Sequence, residues 1–201
     1  MKILHLDSSI QGDASVSRQL SRTVVDALRD RHPAVDVHYR DLVAKPIPHL
    51  DGGIAAGFRE TGIQTTNEFT LAERTRSEML VNELLSVDVL VVGAPMYNFG
   101  ISTQLKAWID RIVQPGRTFQ FSPTGPIGKA TGVRAIIASS RGGAYNQAAT
   151  AGLDFQENYL KSVFRFIGIT DVQVVRAEGV KGPGGAKAVE EAVETARMLD
   201  A

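Results

Sequence analysis

Apolar positions along this chain alternate between two periods. Residues 2–6 form a short strand-like run at the very start. After the small, polar residues 12–17, Leu20, Val24, Ala27 and Leu28 recur at helical spacing up to the stop at His32-Pro33. Residues 35–39 alternate and predict a second strand. Residues 67–86 predict a helix with Leu71, Met79, Leu80, Leu84 and Leu85 on its apolar face. The clearest strand signal is 87–92, a nearly unbroken β-branched run suited to burial on both faces. It stops at Gly93-Ala94-Pro95, and helical spacing resumes with Ile101, Leu105, Trp108, Ile109 and Ile112. Residues 132–139 and 171–177 predict two further strands. Helices are expected over about 153–167, capped by Gly168, and 186–199.

The order is strand and helix in strict alternation, five times. It predicts one α/β domain over 1–201: a doubly wound sheet of five parallel strands, order 2-1-3-4-5, with helices on both faces. Two segments stand outside the pattern. Residues 42–66 form a long connection carrying Pro46, Pro48 and four glycines. Residues 117–121, followed by a Ser-Pro-Thr-Gly-Pro turn, read as a small hairpin or flap outside the main sheet.

Composition narrows the function. The chain has 201 residues, 43% hydrophobic and 22% charged, and its Lys+Arg and Asp+Glu counts are both 22. Zero net charge gives no footprint for nucleic acid or an anionic membrane. The absence of cysteine excludes disulfides, thiolate catalysis and cysteine-ligated metals. The apolar run at the start is too short for a signal peptide, and no run approaches a membrane span. A cytoplasmic enzyme is expected.

Candidate chemistry gathers in the loops after the first, third and fourth strands, which this strand order opens on one edge. The first offers Ser8, Ser9, Ser15 and Ser17 before a helix N-terminus, a place for a phosphate, although Ser15 or Ser17 could equally be a helix cap. The second, Pro95-Met96-Tyr97-Asn98-Phe99-Gly100, has no acid, base or nucleophile. It suits a flat, polar-edged ligand that carries the chemistry itself, while Tyr97 and Phe99 could equally be core aromatics. The third, Ser140-Arg141-Gly142-Gly143, can offer successive backbone N–H groups or be a simple glycine turn.

Other motifs fail. GxGxxG and the P-loop are absent, and no G-x-S-x-G elbow occurs. His5, His32, His38 and His49 have no metal-ligand spacing. Asp110-Arg111 predicts a structural ion pair or cap partner.

With these loops identified, the chain resembles the FMN-dependent NADH:quinone oxidoreductase/azoreductase family of the flavodoxin-like fold. The likeness runs over essentially the whole length. Ser8-Ser9, Ser15-Val16-Ser17, Pro46-Ile47-Pro48, the PMYNF segment 95–99, residues 101–106, the SRGG segment 140–143 and Ala177-Glu178-Gly179 carry it. The resemblance implies that Ser9, Ser15, Val16 and Ser17 cradle the FMN phosphate, Val16 through its backbone. Pro95, Met96, Tyr97, Asn98 and Phe99 would line the isoalloxazine and ribityl region, and Ser140, Arg141, Gly142 and Gly143 the pyrimidine end. Arg59, Phe121 and Val163 would lie toward the substrate. Relatives often carry a tyrosine and a phenylalanine at the last two positions. It further implies a homodimer, NADH or NADPH as co-substrate, a ping-pong reaction with quinones or azo compounds, and no catalytic side chain.

Two other classes remain. A flavodoxin-type electron carrier would bind FMN, but such carriers tend to be strongly acidic and this chain is neutral. A phosphate- or nucleotide-binding regulatory domain would purify colourless and take up no FMN.

Overall fold

The computed structural model describes residues 1–58 and 67–199. Its strands and helices alternate as β1 (Lys2–Asp7), α1 (Val16–Arg31), β2 (Asp36–Asp41), α2 (Gly52–Ala56), α3 (Glu68–Leu85), β3 (Val89–Pro95), α4 (Thr103–Ile112), β4 (Phe119–Ser122), β5 (Gly125–Gly128), β6 (Arg134–Arg141), α5 (Phe155–Phe166), β7 (Val172–Glu178) and α6 (Gly185–Met198). Five of the strands form a parallel sheet in the order β2-β1-β3-β6-β7. Counting only these five, that is the expected 2-1-3-4-5. The antiparallel pair β4-β5 stands apart as the anticipated hairpin.

The period of two sorts the strand side chains between two cores. Leu4, Leu6, Leu90, Val92 and Ile137 pack with Leu80 and Leu84 of α3, Leu105 and Trp108 of α4, and Leu160 and Phe164 of α5. Ile3, Val89, Val91, Ile136 and Ala138 face the other way, against Leu20, Val24 and Leu28 of α1 and Ala192 and Ala196 of α6. Helices therefore cover both faces. Gly168, at φ +102°, ends α5: Ile169 N–H donates to the Phe164 carbonyl at 2.9 Å, closing a Schellman turn.

The inward face of α3 differs from the expected one. Leu80 and Leu84 are buried, but Leu71 and Met79 are 59% and 57% exposed. Thr70, Glu73 and Ser77 point inward instead. The reason is Arg111, fully buried on α4. Its guanidinium donates to Glu73 Oε2 at 2.9 Å, Ser77 Oγ at 2.9 Å and the Pro48 carbonyl at 2.8 Å. A buried guanidinium needs polar partners, and α3 supplies them to Nη1 and Nη2 of Arg111, so helical period alone assigns this face wrongly. Asp110 turns outward to Lys106 rather than to its neighbour Arg111. Among the described residues no helix is long and apolar enough to cross a membrane, and no group of three His, Asp or Glu side chains could hold a metal.

Candidate functional site

Three β-α turns meet at the carboxyl edge of β1, β3 and β6, on either side of the strand where the winding reverses. Two short contacts join them. Ser9 Oγ lies 3.1 Å from the Tyr97 hydroxyl, linking the first turn to the second. The Met96 N–H donates to the Ser140 carbonyl at 2.8 Å, linking the second to the third.

In the first turn, Ser8 is tied down by donating to the Gly93 carbonyl at 2.8 Å. Ser15 caps α1, its hydroxyl accepting from the Arg18 N–H at 3.3 Å. Ser15 Oγ also stands 3.1 Å from Ser17 Oγ, and both side chains are buried. The N–H groups of Val16 and Ser17 open the helix, where no carbonyl one turn earlier is available to them. Two hydroxyls, two free N–H groups and the helix dipole thus converge. The Ser15 cap and this cluster of donors share one turn.

Beneath it lies a polar cluster that residue pattern did not reveal. Arg18 donates to both carboxylate oxygens of Asp41, at 2.7 and 2.9 Å, and from Nη2 to the Ser9 carbonyl at 2.9 Å. The hydrogen bond to Arg18 holds the Asp41 carboxyl below the usual carboxylate range, and Asp41 in turn raises Arg18. Asp7, at the end of β1, accepts from Ser21 at 2.7 Å and from Tyr39 at 3.1 Å. Burial first, then the Asp7 carboxylate, pushes the Tyr39 hydroxyl up to about 12. Gly93 is required here, since a Cβ would sit 2.2 Å from Asp7 Oδ1. A sequence signal existed in the charged residues Asp7 and Asp41 at strand ends, with Arg18 directly after the serines.

The second turn closes on itself, with Tyr97 and Gly100 exchanging backbone hydrogen bonds at 3.0 Å. Asn98 and Phe99 take φ of +47° and +70°. Asparagine tolerates that region and phenylalanine seldom does. The Phe99 carbonyl accepts from the Phe155 N–H at 3.1 Å, which holds the strained residue against α5. Met96 and Tyr97 are half-buried, and Asn98 and Phe99 are exposed. Neither aromatic is a core residue.

In the third turn the Arg141 side chain faces inward, 2% exposed, ion-paired to Asp154 at 2.9 Å and Glu157 at 2.6 Å. Only its backbone, with Gly142 and Gly143, lies along the edge. Burial would raise Glu157, but Arg176 and Arg141 outweigh it and hold that carboxyl below its ordinary value. Tyr145 stands edge-on to Phe99, with ring centroids 6.2 Å apart, and its N–H donates to Glu178.

Two of the residues expected toward the substrate lie on other elements than these three turns. Phe121 is 77% exposed on β4. It lines a depression of about 770 Å³ with Phe58, Val113 and Phe166, none of them in the three turns. Val163 lies two turns along α5 from Phe155, packed on the core. Arg59 falls outside the described residues.

A strand-order switch point lined by hydroxyls, free N–H groups and a strained aromatic turn defines the class, a flavodoxin-like protein. The family model for the flavodoxin-like fold matches residues 1–199. The chain is 61% identical over 178 residues to an FMN-dependent NADH:quinone oxidoreductase of Ralstonia nicotianae, covering 89% of this chain and 86% of that one. It is 55% identical to FMN-dependent NADH:quinone oxidoreductase 2 of Xanthomonas axonopodis pv. citri, covering 94% and 88%. The chain therefore belongs to the family of FMN-dependent NADH:quinone oxidoreductases. In fold it is similar to an azoreductase from Bacillus anthracis, with a TM-score of 0.90 at 23% identity, covering 98% of this chain and 97% of that one.

Proposed function

We propose that this protein binds FMN across its three carboxyl-edge turns and passes two electrons from NADH to quinones, with aromatic azo compounds as further acceptors. The observation that carries the reading is the joining of the three turns, by Ser9 to Tyr97 and by Met96 to Ser140, into one edge. The names of relatives at 50–61% identity support the FMN, NADH and quinone parts of this reading.

The donor set fits FMN. Ser9, Ser15 and Ser17 hydroxyls with the N–H groups of Val16 and Ser17 would hold the phosphate without a contacting cation. Pro95 to Phe99 would support one face of the ring, and the backbone at 140–143 would meet its pyrimidine edge. When bound, FMN supplies the hydride acceptance and donation, so the chain needs no acid, base or nucleophile of its own. The chain binds, orients and excludes water. Asn98, exposed in the turn at φ +47°, would offer its side-chain amide as a donor to a bound carbonyl.

Nicotinamide and acceptor would use the same open face in turn, which is a ping-pong order. A second copy of the chain would complete that face. Phe121 and Val163 lie on β4 and α5 rather than in the three turns, and in a homodimer they could contribute to the face over a flavin. The reaction belongs in the cytoplasm, where nicotinamide cofactors are held.

Anaerobic titration of the FMN-loaded protein with NADH tests the reading. The flavin band should bleach in a single two-electron phase and return on adding a quinone. Initial rates should give parallel double-reciprocal lines. No bleaching by NADH would overturn the proposal.

A further inference from the structure

We propose that Arg18, held by Asp41, is a positioning residue that sets the phosphate turn and gives the site its preference for FMN over riboflavin. The inference rests on the FMN reading above and assigns a role to a residue that need not touch the ligand.

A cation in the first turn of a helix opposes the helix dipole. Arg18 is nevertheless buried there, fixed by a two-oxygen grip from Asp41, with Asp7 Oδ2 3.9 Å from its Nη1. It contacts both ends of the turn. Its side chain donates twice to the Ser9 carbonyl, at 2.9 and 3.3 Å, and its backbone N–H donates to Ser15 Oγ at 3.3 Å. On the far side of the same peptide unit, the Ile10 N–H donates to the Tyr97 hydroxyl at 3.2 Å. The Ser9–Ile10 peptide is thus clamped between Arg18 and Tyr97. That fixes which way Ser9 presents its hydroxyl, and the guanidinium offsets the Asp41 and Asp7 carboxylates that would otherwise stand uncompensated beside the turn. Left uncompensated in a partly desolvated site, those carboxylates would repel a phosphate strongly and affect a neutral ribityl chain hardly at all.

The test is the ratio of riboflavin to FMN dissociation constants. It is measured by flavin fluorescence on the full-length apoprotein of wild type, Arg18→Met and Arg18→Lys. Arg18→Met should weaken FMN by at least about tenfold and riboflavin by less than about twofold. Arg18→Lys keeps the charge but loses the fork, and should fall between. Should Arg18→Met fail to fold, Arg18→Lys must still lower the same ratio. A purely architectural brace between α1 and β2 would weaken both flavins in parallel; that result, or an unchanged ratio, overturns the proposal. Wild-type protein that binds FMN no better than riboflavin would instead overturn the phosphate assignment itself.

Discussion

The side-chain oxygens of Ser9 and Tyr97 stand 3.1 Å apart although 88 residues separate them. That contact spans the gap between the first and third parallel strands' turns. Tyr97→Phe removes it and leaves the Ile10 N–H to solvent, a loss of about 0.5–1.5 kcal/mol. FMN should therefore dissociate about two- to tenfold more readily, with the far-ultraviolet spectrum unchanged. Fluorescence titration checks this, and an unaltered dissociation constant would mean that the contact does not organise the cradle.

Ser17→Ala removes a buried hydroxyl beside the expected phosphate and its contact with Ser15 Oγ, but leaves the cap bond from the Arg18 N–H in place. A hydrogen bond to a charged group is worth about 1.5–3 kcal/mol, so FMN binding should weaken by that amount. Ser15→Ala should show a comparable loss and, in addition, about 1 kcal/mol of lost stability, because Ser15 is also the N-cap. Equilibrium dialysis and urea unfolding separate the two.

How much of this could be read from residue order differs by element. The strand order, the hairpin and the three turns follow from periodicity and from the rule that parallel connections wind one way. The inward face of α3 and the Arg18 cluster do not. Both depend on charged residues brought together from distant positions, Arg111 with Glu73 and Arg18 with Asp41, and a one-dimensional pattern treats every such charge as solvent-facing. Phe121 and Val163 show a different limit. Resemblance alone suggests a place near a substrate for them, because they lie on β4 and α5 rather than in any of the three turns.

Gly93→Ala should disturb the base of the phosphate turn. The added Cβ would meet Asp7 Oδ1 at 2.2 Å and the Ser17 carbonyl at 3.3 Å. Overpacking of this kind costs about 1–3 kcal/mol. Denaturant unfolding should show that loss together with weakened FMN binding. Wild-type stability would contradict the close packing of β3 on the end of β1.

Glu157 links stability to acid. Its folded carboxyl sits below its ordinary value of 4.5 despite burial, because Arg176 and Arg141 favour the charged form. A depressed carboxylate contributes stability that is complete above the unfolded value and is lost as pH falls through the folded one. The wild type should hold its stability down to about pH 5 and then lose it on further acidification. Glu157→Gln should be less stable at neutral pH by up to about 3–5 kcal/mol, since it breaks a buried pair. Its acid slope should also be shallower. Chemical denaturation at several pH values distinguishes these slopes, and identical slopes would contradict the assignment.

The most direct test is a crystal structure of the protein grown with excess FMN. The account predicts the phosphate among Ser9, Ser15, Val16 and Ser17, the ring against residues 95–99 and its pyrimidine edge at 140–143. A vacant edge under saturating FMN, or flavin bound elsewhere on the chain, would contradict it.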